Sequence, residues 1–411
     1  MKKILLVSYY FPPFPGVGVF RWSQLSKYLA RLGYEIHVVT VDWQFSGENS
    51  LEEEVKHPNI HIHKIPSGYP HNLLRKNFNN RILNGVRNKF FIHVLDRFAY
   101  PLEEAQRWGK HLQRHVPDII NQHDISIAIA TGSPFFSIYH TVALKQHLPR
   151  LRVLADFRDP WARNGCAEYS GDLGIIQALI EKERYILENA DGIVAVTEGV
   201  ADLLHKTSSN KKIHIIRNGF DPDKFPSIEH VKQENNCPLI AHIGNVWSES
   251  EESCEAYLQA IDNLPVGRQK TVFIGSLPER LIKAYSNCFT LGKAEYLGVL
   301  SHDKTLAILG KANAAVQFNG RFNQPAASTK VYEHIAARKP TFSVNFGADI
   351  TTLLEKHNWG ISANPDVDDV KKVFASFLAT LDSFSFEESD VNKYSYVTLA
   401  AQYDAVISSF T

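Results

Sequence analysis

From end to end this 411-residue chain alternates short apolar runs with segments of helical periodicity. That is the pattern of parallel strands, each followed by a helix that covers the sheet. In the first half the strand candidates are Ile4 to Ser8, Ile36 to Thr40, Ile125 to Thr131, Val153 to Asp156, Ile193 to Thr197 and Ile213 to Ile216. Between the first two, Leu25, Leu29 and Leu32 fall on one helical face, and Gly33 ends the helix. The second half repeats the scheme with Leu239 to Ile243, Thr271 to Ile274, Tyr296 to Val299, Ala314 to Phe318 and Thr341 to Val344. The expected fold class is α/β, with two doubly wound, Rossmann-like domains facing across a cleft. A chain of 411 residues is too long for one core and suits two. Arg217 to Phe225 is dense in turn formers and leads into a polar stretch, Pro226 to Pro238, read as the linker. The boundary therefore falls between 1–216 and 217–397. In open α/β sheets ligands lie beyond the carboxyl ends of the strands, so functional residues are sought there.

Composition excludes several classes. Lys plus Arg (44) equals Asp plus Glu (44), which gives no global field for nucleic acid. Cys166, Cys237, Cys254 and Cys288 are too dispersed for a Cys-x-x-Cys motif and read as reduced thiols of a cytoplasmic protein. Lys2-Lys3 and the apolar run to Phe11 imitate a signal peptide, but Pro12, Pro13 and Pro15 follow where a cleavage site would stand. No run reaches the about 18 apolar residues of a membrane span.

The most specific segment runs from Ser328 to Pro340. Ser328 or Thr329 can cap a short helix, leaving its first N–H groups aimed at an anion. Lys330 opposes the helix dipole by about 0.3–1 kcal/mol, a cost that a bound diphosphate would offset. Glu333, one turn on, can accept from both hydroxyls of a ribose. An ordinary capped helix, with Val331 and Ile335 toward a core, is the competing reading.

In the first half, Gly16 and Gly18 follow strand one and would let backbone approach a phosphate or sugar. The third glycine of a dinucleotide fingerprint is replaced by Arg21, which disfavours a nicotinamide dehydrogenase and offers a guanidinium to an anion. Asp156-Phe157-Arg158-Asp159-Pro160-Trp161 ends another strand, where carboxylates could accept from sugar hydroxyls and an indole could stack on a pyranose. An internal ion pair of Arg158 with an aspartate is the alternative. Thr131-Gly132-Ser133-Pro134 ends a strand and makes a turn.

His57, His61 and His63 raise a metal site, but with no cysteine or carboxylate pair nearby a solvated strand face is expected. Asp221-Pro222-Asp223 spells a metal-binding Asp-x-Asp, although turn geometry explains it better. From Arg75 to Arg97, six cations interleave with apolar residues against Asp96 alone. This stretch, 75–97, is either a solvated helical lid or a surface resting on anionic lipid at the inner face of the cytoplasmic membrane.

Taken together, the Gly16–Gly18 loop with Arg21, the Asp156 to Trp161 segment, Asn218-Gly219-Phe220-Asp221 and the Lys330 to Pro340 helix resemble glycosyltransferase family 4 and its close relatives. The resemblance spans nearly the whole chain. It implies a GT-B fold, with a sugar nucleotide held mainly by the second domain, an acceptor held mainly by the first, and a final helix crossing back, here within Tyr394 to Phe410 (398–411 joining the first domain). It further implies sugar transfer with retention, without a metal, in the building of lipopolysaccharide, capsule or other cell-surface glycans. On this basis Lys330, Glu333, Ser328, Thr329, Gly16, Gly18, Gly244, Asn245 and Arg321 are expected at the donor, with UDP as the expected nucleotide. Arg21, Ser133, Asp156, Arg158 and Trp161 are expected at a saccharide or lipid-linked acceptor, and Asp159 is expected to orient it.

Two departures stand out. Of the family's two glutamates separated by seven residues, Glu333 matches the second and Pro325 occupies the first. After Gly244-Asn245, Val246-Trp247-Ser248-Glu249 replaces the usual arginine and lysine, so diphosphate neutralisation falls to Lys330, helix amides, and Arg321 or Lys293. A GT-B sugar-nucleotide epimerase and a non-catalytic nucleotide- or glycan-binding scaffold are the alternatives these departures leave open.

Overall fold

A computed structural model describes residues 2–43, 50–70, 102–163, 173–209, 211–225, 237–321, 325 and 328–410. The basic stretch 75–97, most of the proposed linker and Cys166 lie outside the described residues. The chain divides into one unit of Met1–Ile216 with Leu399–Thr411, and a second of Arg217–Thr398.

The first unit is built on seven parallel strands: β1 (Lys2–Ser8), β2 (Tyr34–Val41), β3 (Ile60–Ile65), β4 (Ile127–Gly132), β5 (Arg152–Phe157), β6 (Gly192–Ala195) and β7 (Ile213–Ile215). Their order is β3-β2-β1-β4-β5-β6-β7, so the winding reverses between β1 and β4. Leu5 pairs with Ala128 and Ser8 with Thr131 across that point. Ile4, Leu5, Leu6 and Val7 are all fully buried, which is why β1 is an unbroken apolar run. Each such side chain stabilises the fold by about 1.5–3 kcal/mol through burial.

Helix α1 (Phe20–Arg31) covers the sheet with Leu25 and Leu29. Leu32, expected on the same face, is 52 % exposed because the helix has already ended. Gly33 (φ +88°) turns the chain there, its N–H bonding to the Ala30 carbonyl at 3.0 Å. Further helices are α2 (Gly109–His123) and α3 (Phe136–Ala143).

The second unit carries six parallel strands: β8 (Leu239–Ile243), β9 (Lys270–Ile274), β10 (Ala294–Gly298), β11 (Ala314–Phe318), β12 (Thr341–Val344) and β13 (Gly360–Ala363). Their order is β10-β9-β8-β11-β12-β13, with the reversal between β8 and β11. Among the helices, α4 (His302–Lys311) and α5 (Thr329–Ala336) flank the candidate site. The C-terminal helix α6 runs from Tyr396 to Ser408. The apolar runs leave two strands unmarked: β3, whose Ile-His-Ile-His-Lys-Ile is half polar and which was expected only as the strand face of His61 and His63, and β13, a four-residue edge. No helix among the described residues is long and apolar enough to cross a membrane.

Candidate active site

In each unit the loops that leave the two strands at the reversal are brought side by side, the usual place for a ligand in such a sheet. In the second unit these are the loop after β8, Gly244-Asn245, and the loop after β11, which leads to α5. Gly244 has φ +89°, and a Cβ there would overlap Cε of Lys330. Only glycine therefore allows both the turn and the approach of the lysine. The Lys330 ammonium donates to the Asn245 carbonyl at 3.0 Å, and Oδ1 of Asn245 accepts from the Ser276 N–H at 2.8 Å, which fixes the loop.

Lys330 supplies the positive charge of the first turn of α5. Burial pulls its pKa down to about 8, with Glu333 acting in the opposite sense. His242 and His334 are buried close by. Burial first, then the lysine charge, takes their pKa values to about 3, so both are neutral near pH 7. Glu333 pairs with His302, the first residue of α4, at 2.7 Å, and that contact raises the histidine's pKa. No local signal links His302 to Glu333 in the sequence, since the two lie on different helices.

Three expectations for this wall need correction. Ser328 is the N-cap residue of α5 by position, yet its side chain makes no capping hydrogen bond. Arg321 is turned to the surface, where it pairs with Glu252 at 2.9 Å and lies over the Phe346 ring. Lys293, the residue before β10, is buried and donates to the Asp262 carbonyl at 2.5 Å. Neither of these cations joins Lys330. Thr329 opens the helix as expected, and Pro325 sits at a turn.

The first unit departs further from expectation. Arg21 and Asp156 are 2 % and 0 % exposed and bind one another at 3.2 Å. Around the Asp156 carboxylate, Trp22 Nε1 (2.7 Å), the Thr131 hydroxyl (2.9 Å) and the Tyr403 hydroxyl (2.7 Å) all donate. Arg21 also donates to the Ile216 carbonyl at 2.8 Å. The pair is thus a saturated internal clamp joining β5, α1, the end of β7 and α6, with no lone pair left for an acceptor. Despite its burial, the Asp156 carboxyl titrates below the ordinary aspartate range, because Arg21 and these donors favour its charge against desolvation. Trp161 is buried too. Its ring stacks on Phe135 (5.5 Å, 17°) and meets Phe136 edge-on, so its face is not open to a sugar.

Arg158 orders the loops, its charge also favouring the neighbouring Asp159 carboxylate against the desolvation that raises that group's pKa. It donates to the carbonyls of Gly132 and Gly18 and, at 2.8 Å, to that of Ser133. What reaches solvent at these strand ends is Asp159, Ser133 and the Gly16–Gly18 turn, with Gly16 at φ +146°. Glu103 lies half-buried beside them, unannounced by the sequence. Its two oxygens accept from the N–H groups of Phe135 and Phe136, both at 2.7 Å, at the start of α3. Burial outweighs these bonds and raises its pKa to about 7.

Of the histidines weighed as metal ligands, His57 accepts from the Asn59 N–H at 3.1 Å and stands apart. His61 and His63, expected on a solvated strand face, instead lie against His37 of β2. Asp221 closes a turn, its carboxylate accepting from the Asp223 N–H at 3.0 Å.

Comparison with known proteins matches this architecture. Residues 20–224 fit the model of Glycosyltransferase Family 4. The whole chain overlays sucrose-phosphate synthase of Thermosynechococcus elongatus with a TM-score of 0.68 at 15 % identity, covering 100 % of this chain and 99 % of the other. HepE of Anabaena, solved with UDP and glucose, gives 0.64 at 12 % identity with both chains fully covered. The lipopolysaccharide outer core galactosyltransferase WaaB gives 0.62 at 11 %, again over both full lengths. Among curated protein sequences none matches the chain. Two parallel sheets wound in the same sense, with the family match across the first, make this chain a glycosyltransferase of the family 4 type with the GT-B fold.

Proposed function

We propose that the chain transfers a sugar from a nucleoside diphosphate, with UDP as the preferred nucleotide, to a saccharide or lipid-linked acceptor in cell-surface glycan synthesis, retaining the anomeric configuration and using no metal at the reacting bond. The observation that carries this reading is the placement of Lys330 in the first turn of α5, against the Gly244-Asn245 turn, with Glu333 one turn further on. A departing diphosphate develops negative charge, and a fixed ammonium together with N–H dipoles meets that charge without reorganising. The absence of a side-chain cap from Ser328 keeps its hydroxyl off those amides. Glu333 would exchange its contact with His302 for the ribose hydroxyls. On the acceptor side, Asp159, Ser133 and Glu103 take the place that Arg21, Asp156 and Trp161 cannot fill. The UDP in the HepE structure and the sugar transferred by WaaB support the donor class by likeness of fold.

Calorimetric titration with UDP, GDP and their hexose conjugates tests this. UDP should bind, and Lys330→Ala and Glu333→Ala should each weaken it at least tenfold while leaving the far-ultraviolet circular dichroism unchanged. Wild-type affinity in both variants would remove the donor site. Transfer of sugar label to an acceptor, with no turnover in its absence, separates transfer from epimerisation.

A further inference from the structure

The histidines on the outer strands of the first sheet form a site that the transfer reaction does not use. His37 lies on β2, His63 on the edge strand β3, and His123 closes α2 just before β4. In the parallel register His37 faces His61 and Val39 faces His63, so the three imidazoles of β2 and β3 share one side of the sheet. His37 Nδ1 lies 3.0 Å from His63 Nε2, and one nitrogen from each of His37, His63 and His123 falls within 4.8 Å of the other two. The His37 and His123 rings are 4.0 Å apart.

The protons of this cluster can be assigned. His37 Nε2 is 2.9 Å from Oε1 of Glu35, and a carboxylate only accepts, so Nε2 carries the proton. Nδ1 therefore presents its lone pair to His63. Without an ion, His63 must hold its proton on Nε2 to make the contact. With one, that proton moves to Nδ1 of the same ring and two lone pairs converge, with no net proton released.

A carboxylate that fixes the tautomer of a ligating histidine is the outer-shell arrangement of protein zinc sites. Tetrahedral coordination at about 2.0–2.1 Å places ligand nitrogens about 3.3 Å apart, so side-chain shifts of about 1 Å close the set. We propose that His37, His63 and His123 bind a divalent transition metal, zinc by its ligand chemistry, with Glu35 as the positioning carboxylate and a fourth position open to water or to His61. Three imidazoles suit zinc, cobalt or nickel and not the oxygen-seeking magnesium or calcium.

Among the described residues Lys3 sets a positive charge against the group, its ammonium donating to the His123 carbonyl at 3.0 Å, and Glu35 counters it. His123 precedes β4, so the cluster sits toward the amino-terminal ends of the strands, away from the loops described above. Its role is structural: the ion would tie the half-polar edge strand β3 to β2 and to the end of α2.

The test uses the full chain and cobalt(II) alone, which reports tetrahedral nitrogen coordination through its visible absorption. One equivalent should bind, should be displaced by zinc, and should slow hydrogen exchange of the β3 amides. His63→Ala and His123→Gln should each weaken binding at least 100-fold and Glu35→Gln about 10–100-fold. His57→Ala, outside the cluster, should change nothing. If His63→Ala fails to fold, the partly exposed His123 and Glu35 variants decide the matter. Absence of a stoichiometric site in the wild type, or one that survives His123→Gln and Glu35→Gln unchanged, overturns the proposal.

Discussion

If Lys330 neutralises the diphosphate, donor affinity must follow the protonation of one half-buried lysine. Its pKa of about 8 lies well below that of an exposed lysine because burial disfavours the ammonium. With binding restricted to the charged form, the apparent dissociation constant scales as 1 + 10^(pH − 8). It should be almost unchanged near pH 7, twofold weaker near pH 8 and about tenfold weaker near pH 9, a loss of about 1.4 kcal/mol. The bound diphosphate restores the ammonium, so about half a proton should be taken up per complex near pH 8. Calorimetry of UDP binding in buffers of different ionisation enthalpy reads both quantities. Lys330→Met keeps the length of the chain and removes the charge. Its affinity should fall by about 1.5–3 kcal/mol at neutral pH, the worth of a charged hydrogen bond, and become independent of pH. The same shift has a sign for the unliganded protein. Between about pH 8 and the lysine's ordinary pKa of about 10.4 the unfolded chain holds a proton the native state has lost, so stability rises with pH in that window. A wild-type affinity that stays flat from pH 7 to 9.5 with no proton uptake would refute the assignment of Lys330.

Three further outcomes are expected. Gly244→Ala places a β-carbon in the left-handed region and against the Lys330 side chain; urea denaturation should show a loss of about 1–2 kcal/mol from the backbone alone, and UDP affinity should fall with it. Asp156→Ala leaves Arg21 buried without its partner and should cost about 3–5 kcal/mol, whereas Tyr403→Phe should cost about 1 kcal/mol; unchanged unfolding midpoints would show that the clamp is dispensable. His302→Ala should free Glu333 and tighten UDP a few-fold at pH 6, where the histidine is charged, with a smaller gain at pH 8.5; equal effects at both pH values would mean that Glu333 and His302 do not compete with the ligand.

The fold was legible because parallel strands buried on both faces must be apolar throughout. Leu239–Ile243, Ala314–Phe318 and Thr341–Val344 stand out as such runs and form strands at those bounds. Where burial is one-sided the signal fades: β3 lies at a sheet edge, and its two histidines interrupt the apolar run that would have marked it. The Lys330 to Glu333 spacing was equally readable, since one turn of helix determines it. His302 and Glu103 were not, because their roles arise from packing between segments about 30 residues apart in sequence.

The misreading of Arg21, Asp156 and Trp161 has a physical cause that bears on where the acceptor binds. Charged and aromatic residues at a strand's carboxyl end look the same in sequence whether they face solvent or one another. The decision rests on donor count. Asp156 receives hydrogen bonds from Arg21, Trp22, Thr131 and Tyr403, and Tyr403 comes from the far end of the chain, where no local pattern announces it. Once α6 supplies that hydroxyl, the carboxylate is saturated and the most charged segment of the first unit becomes its fastening. The recognition surface must then be made by what the fastening leaves outside. Arg158 binds the carbonyls of Gly18, Gly132 and Ser133 and so holds three loops in register. If the chain transfers sugar as proposed, specificity for the acceptor would belong to the groups that those loops leave outside, Asp159 and Ser133 first among them, with the buried ion pair setting their position.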